Sequence, residues 1–419
     1  MLVNNSSKRK LKILLVHNFY GSESPSGENA VVNAEKRMLE ANEHQVNMFS
    51  TSSDEIRGQG VYGLIKGGLS TAWNPRIFGA IKEKIETFGP DVVHVHNTFP
   101  LISPAVFYAI NSQIPKVLTV HNYRLFCPSG IPMRNGLICT QCLDQKNVLP
   151  AVVHGCYRES HIATVPLAFS VELHRKLGTW SKKVDGFITL THFQKDKLSR
   201  AGLPLDKMYV KANSATDHLM GTKNLKKHDH VVFVGRLGQE KGLVSLLQAW
   251  KLMSLSGIRP PELRLIGDGP LLKALKEMAG GLPISFLGQV SSAKAIEEIA
   301  QAKLLILPSI CFEAFPMVVC EAFAQGTPVA ASNIGSLPEI VKENICGALF
   351  EPGDSRSICT VVSNLWSNQD RLQKLSIGAR KEYEKYYTEK TNYSRLVEIY
   401  VDVINKKYQE MGPSLNYDS

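Results

Sequence analysis

Two carboxylates eight residues apart, Glu313 and Glu321, bracket the segment Ala314-Phe315-Pro316-Met317-Val318-Val319-Cys320. Carboxylates accept hydrogen bonds in fixed directions, which suits the hydroxyls of sugars and ribose. A second segment, Val231-Val232-Phe233-Val234-Gly235-Arg236-Leu237, ends an apolar run at a glycine. Lys241 follows Arg236 five residues on, ahead of a helical pattern. Glycine allows close backbone approach. A helix start with one Arg and one Lys suits phosphate, because the guanidinium forks across two oxygens and the ammonium adds a point charge. Each segment taken alone also has a bland reading, a charged helix face for the carboxylates and an exposed basic turn for the cations.

The eight cysteines fall into two sets of four. Cys311, Cys320, Cys346 and Cys359 sit in apolar or loop contexts and read as buried thiols. Cys127, Cys139, Cys142 and Cys156 follow the spacing C-x11-C-x2-C-x13-C among Pro128, Gly130, Pro132, Gly136 and Gly155. That set suits a tetrahedral structural zinc, which would staple a loop of about 30 residues that lacks a core of its own. Free thiols are the alternative, and disulfides are disfavoured in a reducing compartment. His94 and His96 alternate along Val93–Asn97. They read either as metal or acceptor contacts, or as one hydrogen-bonded core histidine and one at a strand end.

The elements that must position these groups alternate between short apolar runs and helical patterns. Strands are expected at Lys12–Val16, Asp91–Val95, Lys116–Val120 and Gly186–Leu190. A second series runs through Val231–Val234, Leu263–Ile266, Ile284–Leu287, Leu304–Leu307 and Val329–Ala331. Helices are expected over 28–41, Ile77–Phe88 and Leu243–Met253, and residues 364–410 read as helical throughout. Alternation of this kind implies parallel sheets with right-handed crossovers. The fold class is α/β, with two doubly wound Rossmann-like domains. The expected boundaries are 1–205, carrying the cysteine-bearing insert 125–158, then 206–385, and a C-terminal helix over 386–419 that packs back on the first domain. Ligands of such sheets bind beyond the carboxyl ends of the strands, where His121, Gly235–Lys241 and Glu313 fall.

The chain has 419 residues, 44% of them hydrophobic and 21% charged, which excludes a disordered chain, a collagen or a coiled coil. No run is long and apolar enough for a membrane helix, and the apolar stretch behind Lys8–Lys12 is too short for a secretory signal. A cytoplasmic location is expected. Residues 1–200 hold 23 Lys and Arg against 15 Asp and Glu, and residues 201–419 hold 25 against 23. The basic first half suits an anionic partner (nucleic acid, anionic lipid headgroups or a phosphorylated substrate) or is a solvated basic surface.

From Leu304 to Gly353 the chain carries, in order, PS…E-x7-EA-x3-G-x-PV…G-x3-E…G…GD, preceded by Gly-Arg-Leu…Lys-Gly and Gly267-Asp268-Gly269-Pro270. This ordered set resembles the retaining nucleotide-sugar glycosyltransferases of the GT-B fold, glycosyltransferase family 4, in the subset with a cysteine-bearing insert. The resemblance spans about residues 12–390. It implies two domains facing a central cleft, with Arg236 and Lys241 on the donor diphosphate, Glu313 near the transferred sugar and Glu321 on the ribose. Phe315, Pro316, Met317 and Val318, with Gly235, lie along the donor loop, though Pro316 has no N–H to offer. Gly21–Gly27 resembles the glycine loop after the first strand, with Gly27 at a helix start. His121 matches the histidine that contacts the donor sugar. The common pairing there is His-Asp or His-Glu, and here it is His121-Asn122. Ser or Thr at the Thr191 position often faces the cleft in this family.

The resemblance further implies transfer with retention from a nucleoside diphosphate sugar, UDP by family frequency, to a hydroxyl acceptor. The chain has no Asp-x-Asp clamp, so fixed cations are expected to stabilise the leaving diphosphate without a metal. A polyprenyl-linked saccharide acceptor, as in surface polysaccharide assembly, would account for the basic first half. It would also put the enzyme on the inner face of the cell membrane, with no nucleic-acid partner. The alternatives are an epimerase or phosphorylase of the same fold, or a basic RNA- or lipid-binding protein without catalysis.

Overall fold

The computed structural model describes residues 9–21, 26–57, 68, 70–218 and 227–411. The chain divides into two units. The first comprises Met1–Ile131, Thr140–Lys211 and Asn392–Ser419, and the second Pro132–Cys139 and Ala212–Thr391. The first boundary falls after Lys211 rather than at 205 because a last strand, Met208–Val210, completes the first sheet. Pro132–Cys139, expected within the first domain's insert, counts with the second unit.

The first sheet is built from β1 (Lys12–Phe19), β2 (Gln45–Ser52), β3 (Val92–Asn97), β4 (Lys116–Thr119), β7 (Gly186–Thr189) and β8 (Met208–Val210). The labels β5 (Met133–Arg134) and β6 (Leu137–Ile138) belong to a small antiparallel hairpin. The six strands are parallel, in the order β2-β1-β3-β4-β7-β8. The order reverses between β1 and β3, and that switch point is where an open parallel sheet binds ligands.

Helix Pro75–Phe88 shows how local sequence sets the crossovers. Asn74 caps it by accepting from the Ile77 amide, Pro75 begins it, and Gly89 ends it at φ 60°. The C-terminal helix Glu389–Met411 lays Leu396, Ile399, Tyr400, Val403 and Ile404 into the core formed by Leu11, Ile13, Leu15, Val92, Val117 and Ile188. Burying five such side chains contributes on the order of 10 kcal/mol, comparable to the net stability of a whole domain.

The second sheet runs β11-β10-β9-β12-β13-β14, all parallel. Its strands are β9 (His228–Val234), β10 (Glu262–Ile266), β11 (Ile284–Gly288), β12 (Ala302–Leu307), β13 (Val329–Ser332) and β14 (Gly347–Phe350). Here the order reverses between β9 and β12. The stretch expected to be helical over 364–410 contains the end of helix Ser355–Trp366, helix Gln369–Glu382, a π turn at Tyr383–Tyr387 and most of Glu389–Met411.

Candidate active site

In the first unit, the switch point is lined by the carboxyl ends of β1 and β3. His17 Nε2 lies 2.9 Å from Asn29 Oδ1, and Asn97 Nδ2 donates to the Asn18 carbonyl at 2.9 Å. His121 follows β4 as expected. Its Nε2 lies 3.0 Å from His96 Nδ1, and the two rings stack. Burial pushes His121 down to about 3 and His17 to about 4, so both rings are neutral near pH 7.

Asn122 Nδ2 donates to Glu28 Oε1 at 2.9 Å, so the carboxylate that usually adjoins the histidine in sequence arrives from helix Gly27–Ala41. Burial raises the Glu28 carboxyl. Gly27 is the exposed first residue of that helix. Residues 22–25 of the Gly21–Gly27 loop lie outside the described residues. Arg124 stacks on Phe99 at 4.5 Å and donates to the carbonyls of Pro128 and Ser129 at 3.0 and 3.4 Å. Between these groups lies a cavity of about 70 Å³, walled by Phe99, Phe107 and Trp180 and edged by His121, Asn122 and Arg124.

Two charged residues behind this half-site escaped the sequence reading. Glu35 Oε1 accepts from Lys211 Nζ at 2.7 Å, and both side chains are buried. The legible signal was a carboxylate on the stripe that includes Val31, Val32, Met38 and Leu39, the buried face of helix Gly27–Ala41. His94 takes the bland role. Its two nitrogens meet Tyr400 Oη and Thr119 Oγ1, each at 2.7 Å. Thr191 is buried and caps helix His192–Ala201 by accepting from the Gln194 amide at 3.1 Å.

Among the described residues, no three of the four insert cysteines bring their sulfurs within 4.8 Å of one another. Among the described residues, the one group with three metal-capable atoms within 4.8 Å of one another is Glu35, His94 and His96. Cys127, Cys139, Cys142 and Cys156 do not form such a group, and Cys127 Sγ lies 3.1 Å from Ser129 Oγ. The start of the loop is closed instead by the backbone pairs Tyr123 N to Gly130 O and Gly130 N to Cys127 O, with the Arg124 bonds across them.

In the second unit, the site again forms at the carboxyl ends of the switch-point strands. Lys241 Nζ donates to Glu313 Oε1 at 2.6 Å, Ser309 Oγ donates to the same oxygen at 2.7 Å, and Ser336 Oγ donates to the Glu313 carbonyl at 2.6 Å. Burial alone would raise Glu313, but Lys241 and Ser309 overcome it and hold the carboxyl below its ordinary range.

The loops are pinned to each other. Gly235 N donates to Ile266 O, Leu237 N to Asp268 O, and Ile310 N to Glu240 O. Gly242, at φ 64°, lies so close to Pro308 that a Cβ there would sit 2.0 Å from its carbonyl oxygen. Arg236 is exposed and has no acidic partner among the described residues. Phe315 is buried and packs on Tyr387, and Pro316 precedes helix Met317–Ala324. The amides of Met317 and Val318 open the first turn, where no intrahelical carbonyl faces them. Glu321 stands on the next turn, its carboxyl raised by burial.

Two family models tile the chain. Glycosyltransferase Family 4 matches residues 25–214, and glycosyl transferases group 1 matches residues 219–382. Together the two matches support a glycosyltransferase of the family 4 type. Among relatives of this glycosyltransferase, the sulfoquinovosyl transferase SQD2 of Arabidopsis thaliana is 25% identical over 76% of this chain and 57% of its own length. The phosphatidyl-myo-inositol mannosyltransferase of Mycobacterium leprae is 29% identical over 54% of this chain and 62% of its own. The chain thus spans under two thirds of the length of either relative. Anabaena Alr3699/HepE, solved with UDP and glucose, superposes with a TM-score of 0.62 at 16% identity, covering 94% of this chain and all of that one. That likeness carries the fold, GT-B with two Rossmann-like domains.

Proposed function

We propose that this glycosyltransferase moves a hexosyl group, with retention and without a catalytic metal, from a UDP-sugar to a hydroxyl of a lipid-linked saccharide at a membrane surface. The observation that carries the reading is the donor half-site at the β9/β12 switch point. There an exposed guanidinium, Arg236, stands on the loop after β9 that also carries Lys241, and Lys241 pairs with Glu313 from the loop after β12. Departure of a nucleoside diphosphate develops negative charge, and fixed cations with helix-start amides stabilise it without reorganisation. In this reading Arg236 and Lys241 hold the diphosphate, Glu321 accepts from the ribose hydroxyls, and Glu313 orients Lys241 and the sugar. The acceptor hydroxyl attacks from the face the diphosphate leaves, giving its proton to the departing phosphate oxygen, so no protein nucleophile is needed.

A membrane-borne acceptor is supported by the surface of the first unit. Helix His161–Lys176 exposes Ile162, Val165 and Phe169 in one row, and helix Leu149–Val153 exposes Leu149 and Val153. The exposed cations Lys146, Arg158 and Lys176 lie on or beside these helices. Apolar side chains with cations around them suit an anionic bilayer surface. Among the described residues, no helix is long and apolar enough to cross a membrane.

The test is a donor screen. The full chain is incubated with UDP-, GDP- and ADP-sugars, with and without polyprenyl-linked saccharides, and released nucleoside diphosphate is measured in the presence and absence of EDTA. Release from a UDP-sugar that survives EDTA and is lost in Arg236→Ala supports the reading. Loss with EDTA sinks metal independence. Interconversion of the sugar without an acceptor would make the protein an epimerase.

A further inference from the structure

Behind His121 lies a chain of polar groups that reaches the interior of the first unit. His121 Nε2 is 3.0 Å from His96 Nδ1, His96 Nε2 is 3.4 Å from Glu35 Oε2, and Glu35 Oε1 takes a hydrogen bond from Lys211 Nζ, which also donates to Asn392 Oδ1 at 3.2 Å. His96 Nε2 and Glu35 Oε2 are buried and face each other at 3.4 Å, and neither has a hydrogen-bond partner. These atoms do not suit a metal. The Lys211 ammonium already neutralises Glu35, and both nitrogens of His94 are taken.

The protons can be placed by elimination. Glu35 is held as a carboxylate: burial opposes the charge, but the Lys211 ammonium overcomes it. A carboxylate oxygen repels a lone pair set against it, so His96 carries its proton on Nε2, the nitrogen that faces Glu35 Oε2. Burial keeps His96 neutral, so its Nδ1 is a lone pair. His121 must then carry its proton on Nε2 to donate to His96. The opposite arrangement would set a His96 lone pair against the carboxylate. His121 Nδ1 is left as an acceptor.

We propose that Glu35, acting through His96, is a positioning residue that fixes the tautomer of His121, so that Nδ1 accepts a hydrogen bond from a hydroxyl of the transferred sugar. The inference rests on the glycosyltransferase reading for its ligand, but the wiring can be judged without it. A carboxylate behind a histidine that fixes its tautomer is a recurring device of catalytic and metal-bound histidines. Here the device has an additional histidine between the carboxylate and the working ring.

The test uses the full chain labelled with 15N-histidine. The probes are Glu35→Gln and the double variant Glu35→Gln/Lys211→Met, which removes both charges of the buried pair should the single variant fail to fold. In the wild type the His121 signals should report Nε2–H. In the variants an uncharged amide faces His96, and His121 should shift toward Nδ1–H. Sugar transfer should fall about 10-fold in kcat/KM, the scale of one lost hydrogen bond, while UDP affinity stays within twofold. Nδ1–H in the wild type, or an unchanged His121 tautomer in a folded variant, would overturn the proposal. If the wild type turns over no donor, the glycosyltransferase reading fails by that result, and the tautomer signals alone decide the wiring.

Discussion

Asn122 and Glu28, 94 residues apart in the chain, meet at 2.9 Å, with the amide donating to the carboxylate. The family's common residue after the histidine is acidic. Here the acid comes from the start of helix Gly27–Ala41, and an amide must face it. Replacing that amide by a carboxylate would set two acceptors against each other in a buried place where Glu28 is already raised. One of the two would have to stay protonated. Asn122→Asp should therefore lose about 10-fold in kcat/KM at pH 8 and recover as the pH is lowered toward 6. Exchanging the partners, Glu28→Gln/Asn122→Asp, should restore a flat profile. A single Asp variant with the wild-type pH profile would contradict the pairing.

Lys241 and Glu313 form the corresponding pair in the second unit, and they depend on each other. Lys241→Met leaves the Glu313 carboxylate without its cation in a largely buried setting. Breaking one side of such a pair costs about 3 kcal/mol or more. The double variant Lys241→Met/Glu313→Gln removes both charges and should be the more stable of the two in urea unfolding. Both should lose about 10²- to 10³-fold in turnover, as when an oxyanion donor is removed. Equal urea midpoints for the single and double variants would mean that the pair is not coupled in the folded protein.

Much of this arrangement was legible because a doubly wound fold puts function after strands. The runs before Gly235 and Pro308, Val231–Val234 and Leu304–Leu307, are unbroken Val, Leu, Ile and Phe, which is the mark of strands buried on both faces. In the two six-stranded sheets, the strands not anticipated, β2, β8 and β14, are all sheet edges. An edge strand is covered on fewer sides, so it needs no continuous apolar run, and Gln45–Ser52 is mostly polar and half-buried. Glu35 and Lys211 were missed for a related reason. They are 176 residues apart, and neither has a motif around it. Cysteine spacing describes a loop's chemistry without fixing its geometry, and here Arg124 and backbone hydrogen bonds close the start of the loop.

Arg236 offers a cleaner separation of binding from stability. It is exposed and has no ionic partner among the described residues. Arg236→Ala should leave the urea midpoint within about 0.5 kcal/mol of wild type. UDP affinity by calorimetry should fall about 10- to 100-fold, the worth of one to two charge-assisted hydrogen bonds. A substantially destabilised variant, or one with unchanged UDP affinity, would remove Arg236 from the donor site.

The histidines of the first unit predict how stability depends on pH. His17 is held down to about 4 and His121 to about 3, chiefly by burial, and His94 and His96 lie well below their ordinary value. An unfolded chain protonates each near pH 6.5. Below that pH the unfolded state binds protons that the folded state refuses, so stability is complete above about 6.5 and declines as the pH falls toward the folded values. Each such histidine adds a slope approaching about 1.4 kcal/mol per pH unit. Glu35 acts in the same direction, but only below about 4.3, where unfolded glutamates begin to protonate. Urea midpoints followed from pH 7.5 to 5 should therefore fall steeply below 6.5. His17→Gln, which cannot titrate and keeps a polar partner for Asn29, should show a shallower slope by up to about 1.4 kcal/mol per pH unit. A wild-type midpoint that is flat between pH 7.5 and 5 would mean that these rings take up protons in the folded state, and that the neutral histidine row behind β3 and β4 is not maintained.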